Sequence, residues 1–260
     1  MAQTTDLDLA FLQQVAREAG AAILEVYETD FDVESKSDAS PLTEADLRSH
    51  KIITARLAER YPDIPILSEE SAEQAAYDVR RHWSRYFLVD PLDGTKEFVK
   101  RNGQFTVNIA LIEDGRPTVG VVYAPVLDWM YWGSESGGAF KQEKAGAPQR
   151  LQPSGPAAPG KVTIVGSRSH STPELEAYVE SQRAQHGDVD FIAMGSSLKL
   201  CIIAEGKADV YPRFGPTMEW DTAAADAVVR AAGRRVTQPD SDDDLPYNKE
   251  NLLNGWFIAR

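Results

Sequence analysis

The chain has 260 residues, 42% of them apolar, with 27 Lys and Arg against 40 Asp and Glu and a formal net charge of −13. This suits one large domain or two compact lobes, excludes wholesale disorder, and offers no apolar run near the ~20 residues of a membrane-spanning helix. The acidity argues against nucleic-acid polymers and anionic membranes as partners, because phosphate backbones select basic faces. The single Cys201 excludes a disulfide framework and a cysteine-based zinc site, so a cytoplasmic setting is expected. The opening MAQTTDLDLAFLQQ has no basic patch followed by an apolar block, so no signal peptide is expected there.

Leu12, Val15, Ala16, Ala19, Ile23 and Val26 recur at helical spacing and predict a helix over 6–28, capped by Asp6 or Thr5. A second helix is expected over 44–60, with Thr43 as N-cap, acids in its first turn, and Tyr61-Pro62 as its stop. Between them, 30–37 reads as extended and polar. Short apolar runs at 64–67 and 86–89 predict strands, the second ending on Asp90. Stretches 104–112 and 117–124, joined across Asp114-Gly115, predict a hairpin, and 129–133 and 137–141 extend it into an antiparallel meander covering the two helices. Residues 145–160, rich in Pro, Gly, Ala and Ser, read as a linker between an α+β lobe (1–150) and an α/β lobe (151–260). Strands at 162–166, 189–193, 208–213 and 234–237 then alternate with helices at 173–186, 196–205 and 221–232, which argues α/β layering.

The segment Leu88-Val89-Asp90-Pro91-Leu92-Asp93-Gly94-Thr95-Lys96-Glu97-Phe98 carries the chemistry. An apolar strand delivers Asp90, Pro91 stops sheet pairing, Asp93-Gly94 turns tightly, and Thr95 opens a short helix. Two carboxylates, a backbone carbonyl and a hydroxyl can then meet at one spot, where a magnesium-like cation would relieve the repulsion between the acids. The NH groups of Gly94, Thr95 and Lys96 suit a phosphate. Alone, an Asp-x-x-Asp-Gly turn reads equally well as an acidic loop without a ligand. Neither an EF-hand nor an Asp-x-Asp phosphotransfer motif fits acids three apart, so water is favoured as nucleophile over an aspartyl-phosphate. Three further acidic segments raise the odds: Leu42-Thr43-Glu44-Ala45-Asp46, Glu69-Glu70-Ser71, and Glu219-Trp220-Asp221-Thr222-Ala223-Ala224. Each alone reads as an N-cap or a solvated acid; the case rests on all four in one chain.

Asp90-Pro91-Leu92-Asp93-Gly94-Thr95 and Trp220-Asp221-Thr222-Ala223-Ala224 resemble the two signatures of the inositol monophosphatase superfamily, and the other acidic segments fit its order and spacing. Thr95-Lys96-Glu97-Phe98, Ser167-Arg168-Ser169-His170, Gly195-Ser196-Ser197-Leu198-Lys199 and Tyr211-Pro212-Arg213 are most similar to its bacterial 3'(2'),5'-bisphosphate nucleotidase branch. The resemblance implies a layered α/β/α/β/α sandwich with N-terminal helices on an antiparallel sheet and a mixed sheet in the second lobe.

It also implies roles. Glu69, Asp90 and the Leu92 carbonyl would hold one magnesium ion, and Asp90, Asp93 and Asp221 a second. Asp46, with Glu69 and waters, would support a weaker third. Thr95, bonded to Asp46, would orient the attacking water, with Glu70 steadying the pair. Gly94, Thr95, Lys96, His170, Ser196, Lys199, Arg213 and Asp221 would hold a small nucleotide bisphosphate, and lithium would inhibit. Read without the resemblance, His170 is a loop residue and Lys199 a surface lysine, while Cys201, Trp129, Trp132 and Trp256 are packing or interface residues.

Overall fold

The computed structural model describes residues 7–29, 41–152, 160–167 and 172–260. Helix α1 (Leu9–Tyr27) starts at Asp8, whose carboxylate accepts from the Phe11 amide at 3.1 Å. The expected caps Thr5 and Asp6 lie outside the described residues, as does the extended stretch 30–37. Helix α2 (Pro41–Arg60) begins three residues earlier than expected, so Thr43 sits inside its first turn and is not the N-cap; proline's fixed φ and missing N–H suit a first helical position.

Seven strands follow in one sheet, ordered as in the sequence: β1 (Ile66–Ser68), β2 (Arg85–Asp93), β3 (Thr106–Glu113), β4 (Arg116–Ala124), β5 (Trp129–Ser134), β6 (Gly138–Glu143) and β7 (Gln149–Leu151). β1 runs parallel to β2 and every later neighbour is antiparallel, as the meander requires. A short 3-10 turn (Glu69–Gln74) and helix α3 (Tyr77–Arg80) fill the connection after β1, and α4 (Thr95–Val99) the one after β2. β7 corrects part of the linker reading: Gln149, Arg150 and Leu151 pair with Lys141, Phe140 and Ala139. A strand of three residues flanked by prolines is too short to show alternation. Residues 153–159 of that stretch lie outside the description.

Strand alternation builds the layers. Phe87, Val89, Val107, Ile109, Leu111, Val121 and Tyr123 pack with α1 and α2 in one buried cluster. Their neighbours Tyr86, Leu88, Ala110, Ile112 and Val122 pack on the other face with α6 (Leu198–Glu205) and α7 (Glu219–Ala231). The same cluster takes in Val165, Tyr211, Val236, Phe257 and Ala259 of the second sheet. That sheet comprises β8 (Lys161–Gly166), β9 (Asp188–Ala193), β10 (Tyr211–Arg213), β11 (Val236–Thr237) and β12 (Phe257–Ala259). β8 and β9 are parallel, β12 is antiparallel to both β10 and β11, and a parallel bridge from Ile164 to Val210 joins the two groups. Val162, Ile164, Val210 and Ile258 face the remaining helix, α5 (Pro173–His186). The layers therefore run α1/α2, first sheet, α6/α7, second sheet, α5. β12 was not anticipated from the sequence.

The middle layer is tightly seated. Where α7 crosses β4, a Cβ added to Gly120 would stand 2.0 Å from the Ala224 carbonyl oxygen and 2.9 Å from the Ala227 Cβ. Only glycine allows that approach. Among the described residues no helix is long and apolar enough to cross a membrane.

Candidate active site

Parallel pairing of Ser68 with Val89 brings Glu69, just past the end of β1, level with Asp90 of β2. Asp90 and Asp93 are three apart, a spacing that in a regular strand sends side chains to opposite faces. Here Asp90 pairs with Asn108 and Asp93 with Thr106, so one extra residue is bulged out of β2. The bulge restores both acids to the same face. It also corrects the expectation that Pro91 ends pairing, which resumes at Asp93. Leu92 turns its side chain into the α1/α2 core and donates its amide to Asp90 Oδ1 at 3.0 Å. Gly94, at φ 99°, then swings the chain into α4 through a left-handed conformation that a Cβ would strain.

Asp93 is the hub. Its Oδ2 accepts from the Ser197 amide at 2.6 Å and lies 2.6 Å from Ser197 Oγ, 3.4 Å from Asn108 Nδ2 and 3.5 Å from Thr106 Oγ1. Ser197 Oγ is also 2.6 Å from the Asp221 carbonyl, tying the α6 entry to α7. Asp221 lies in the first turn of α7, and its Oδ2 accepts from the Met218 amide at 2.9 Å. Helix α2 docks Asp46 through two bonds: Ser49 Oγ donates to the Pro91 carbonyl at 2.7 Å, and His50 Nδ1 meets Ser68 Oγ at 2.9 Å.

The electrostatics record the convergence. Burial, followed by Glu70 and Glu69, pushes Asp46 up to about 9. Burial and the nearby acids, Glu70 foremost, push Glu69 to about 7, and burial with Asp93 does the same to Asp221. Asp90, only 1% exposed, is driven well above the usual carboxylate range by burial and then by Asp93, Glu69, Asp221 and Asp46. Acids from α2, the 3-10 turn after β1, β2 and α7 thus share one region, with Glu70 at its exposed rim.

Among the described residues no three His, Cys, Asp or Glu side chains already form a compact ligand group. One oxygen each of Asp93 and Asp221 is turned to a protein donor. The donor set nonetheless fits a hard divalent cation: all oxygens, several negative charges crowded out of water, and a buried Asp46 Oδ1 with no hydrogen-bond partner. Thr95 is exposed at the start of α4, and the bond to Asp46 implied by the resemblance is not made through that oxygen.

Above the acids opens a cleft of about 460 Å³, lined by Asp93, Gly94, Thr95, Lys96, Ser196, Lys199, Arg213 and Asp221 among others. Lys199 is no surface lysine. It is 9% exposed, its Nζ donates to the Ser196 carbonyl at 2.6 Å, and burial lowers it to about 8 while Asp93 pulls the other way. Arg213 donates Nη2 to the Pro216 carbonyl at 2.9 Å, and its buried Nε has no partner. The expected start of α6 at Ser196 shifts to Leu198, leaving Ser196 ahead of the helix at φ 44°. His170 lies outside the described residues. Ser197, Asn108 and Thr106 were not singled out from the sequence. Nothing distinguishes Ser197 from Ser196 until the fold aims it at Asp93, and the other two emerge only from the register of β3.

The inositol monophosphatase family model matches residues 6–256. The chain belongs to this family. It is 52% identical over 247 residues to the 3'(2'),5'-bisphosphate nucleotidase CysQ of Escherichia coli, covering 94% of this chain and 96% of that one. The CysQ of Buchnera aphidicola is 45% identical over 251 residues, 95% of this chain and 91% of its own. The crystal structure of CysQ from Bacteroides thetaiotaomicron superposes with a TM-score of 0.87 at 46% identity over 96% of each chain. Inositol monophosphatase-II of Staphylococcus aureus gives 0.74 at 20% identity, over 96% of this chain and 90% of that one, and shares the fold. The layered sandwich inferred from sequence is the family's fold.

Proposed function

We propose that this protein is a magnesium-dependent 3'(2'),5'-bisphosphate nucleotidase of the cytoplasm, releasing the 3'-phosphate of adenosine 3',5'-bisphosphate to give AMP, and acting also on the 3'-phosphorylated sulfonucleotide. Its place is in sulfur metabolism, clearing a by-product of sulfate assimilation. The observation that carries this reading is a cleft with converging acids on one wall and Lys199 and Arg213 on another. The CysQ relatives support the same activity.

Glu69, Asp90 and the Leu92 carbonyl would hold one magnesium ion, Asp90, Asp93 and Asp221 another, and Asp46 a third. When bound, the ions offset phosphate charge and lower the pKa of water. Asn108, Thr106 and Ser197 fix the Asp93 carboxylate by hydrogen bonds. Thr95 accepts a water's hydrogen bond at the cleft mouth and orients it toward phosphorus, with Asp46 drawing off proton density and Glu70 steadying the pair. Lys199 and Arg213 grip the substrate's other phosphate, with the amides of Gly94 to Lys96, Ser196 and His170 adding donors. The 1–150 and 151–260 lobes would then act as one catalytic unit. Lithium would inhibit by taking a loosely held cation position.

Phosphate release from adenosine 3',5'-bisphosphate, inositol 1-phosphate and fructose 1,6-bisphosphate, measured side by side, tests the reading. Nucleotide preference is expected, and preference for either sugar phosphate overturns it. In the same assay Lys199→Ala with Arg213→Ala should lower kcat/KM for the nucleotide by roughly 100-fold or more, about 1.4 kcal/mol per tenfold, and spare inositol 1-phosphate.

The raised carboxylates give a pH prediction. An acid with a higher pKa in the folded chain keeps a proton that the unfolded chain has lost. Metal-free stability therefore falls as pH rises, from the ordinary carboxylate range near ~4 up through about 7 for Glu69 and Asp221 and about 9 for Asp46. A cation competes with those protons, so magnesium should raise the melting temperature more at about pH 8 than at about pH 6. An equal rise at both would show that the acids do not gather the metal.

A further inference from the structure

The chain's last segment contacts the site through one wall that the mechanism leaves unused. Asn254, 6% exposed, donates its amide N–H to the Thr217 carbonyl at 2.8 Å. Its side-chain Nδ2 lies 2.9 Å from the Met218 carbonyl, 3.1 Å from Thr222 Oγ1 and 3.2 Å from Thr217 Oγ1. The Glu219 amide donates to the Leu252 carbonyl at 2.9 Å, and Met218 bridges Leu253 in antiparallel fashion. Residues 217–219 are thus stitched to 252–254 at every position.

The strap is itself held from beneath. Glu219, fully buried, accepts the Asn248 amide at 2.7 Å, the Lys249 amide at 2.9 Å and Lys249 Nζ at 2.6 Å. Lys249 Nζ also reaches Asn254 Oδ1 at 3.2 Å. Arg80, 3% exposed, donates to Asn248 Oδ1 at 3.1 Å and to the Glu250 carbonyl at 2.7 Å. A buried carboxylate and a buried guanidinium are costly unless fully partnered, so this segment has one well-defined seat.

Met218 is the residue whose amide fixes Asp221 Oδ2, at 2.9 Å. Its backbone is gripped by Asn254 on the carbonyl side. We propose that Asn254, seated by Lys249 and Glu219, is a positioning residue that sets the Asp221 carboxylate by fixing the Met218 N–H. This inference rests on the proposed role of Asp221 as a cation ligand. Asn254 acts through Asp221 and touches neither substrate nor cation.

The experiment is a double-mutant cycle on the full-length protein, read as magnesium affinity by titration calorimetry with the metal alone, beside melting in EDTA and a kcat and KM split. Asn254→Ala should stay folded in EDTA and lose about tenfold in magnesium affinity, the scale of an outer partner of a metal ligand. Lys249→Arg, which keeps the charge, should stay near wild type. Asn254→Ala combined with Asp221→Asn should bind magnesium no more weakly than Asp221→Asn alone. Wild-type affinity in Asn254→Ala, or losses that multiply in the double variant, would overturn the positioning role. Wild-type affinity and turnover in Asp221→Asn would instead remove Asp221 from the site, and the proposal with it. If the alanine variant does not fold, Asn254→Leu, which fills a similar volume and removes both side-chain donors and the acceptor, is judged by the same criteria.

Discussion

Asp90→Asn should abolish turnover while making the metal-free protein melt at a higher temperature. Asp90 is the most deeply buried of the converging acids, and four others crowd it. In its proposed role as a ligand shared by two cations it would have no substitute, so turnover should fall on the order of 1,000-fold or more, beyond the loss typical of an outer partner. Without metal the same carboxylate is a liability, because folding must either bury its charge or protonate it. Asparagine keeps the oxygen that accepts the Leu92 amide and removes the charge. A gain of only ~1 kcal/mol would raise the midpoint by roughly 2–4 °C in a chain of this size. Calorimetric melts in EDTA, with and without magnesium, separate the two effects. The variant should start higher than wild type and respond less to the metal. An active variant, or one that melts lower in EDTA, would contradict the account.

Gly120→Ala should be the most damaging single methyl group in the first sheet. The Ala224 carbonyl leaves 2.0 Å where the new Cβ must go, and the obstacle is helix backbone, which cannot rotate aside. Overpacking of this kind costs about 3 kcal/mol or more, which corresponds to a fall of roughly 6–12 °C. Displacing α7 also moves Asp221, so magnesium affinity should fall together with stability. A variant melting within about 2 °C of wild type would mean that α7 is not seated as described.

The sequence revealed the site's acids far better than their supports. Asp90, Asp93, Glu69 and Asp221 follow or open apolar segments and belong to motifs of the family, so their delivery to one place could be read from pattern and resemblance. The β2 bulge could not. It appears only when Asp90 is paired with Asn108 and Asp93 with Thr106, a relation between strands that local patterning does not encode. Ser197 was missed for a related reason: two adjacent serines look alike until α6 starts at Leu198 and one of them turns inward. Lys199 misleads in the opposite direction. A lysine beside apolar residues suggests a solvated stem, yet it is buried because its ammonium group finds a carbonyl and nearby acids. β7 and β12 are three residues each, too short for any periodic signal.

The helices between the two sheets have a consequence for the order in which the molecule is made. They are the floor of one sheet and the roof of the other, and they come from the later part of the chain. A ribosome-bound polypeptide that has completed β1 to β7 has a bare apolar surface where α6 and α7 will lie, and it has not yet made Asp221. Under the proposed ligand set, the cation position that needs Asp221 stays incomplete until synthesis is nearly over, and the nascent chain is most exposed to aggregation just before that position can form.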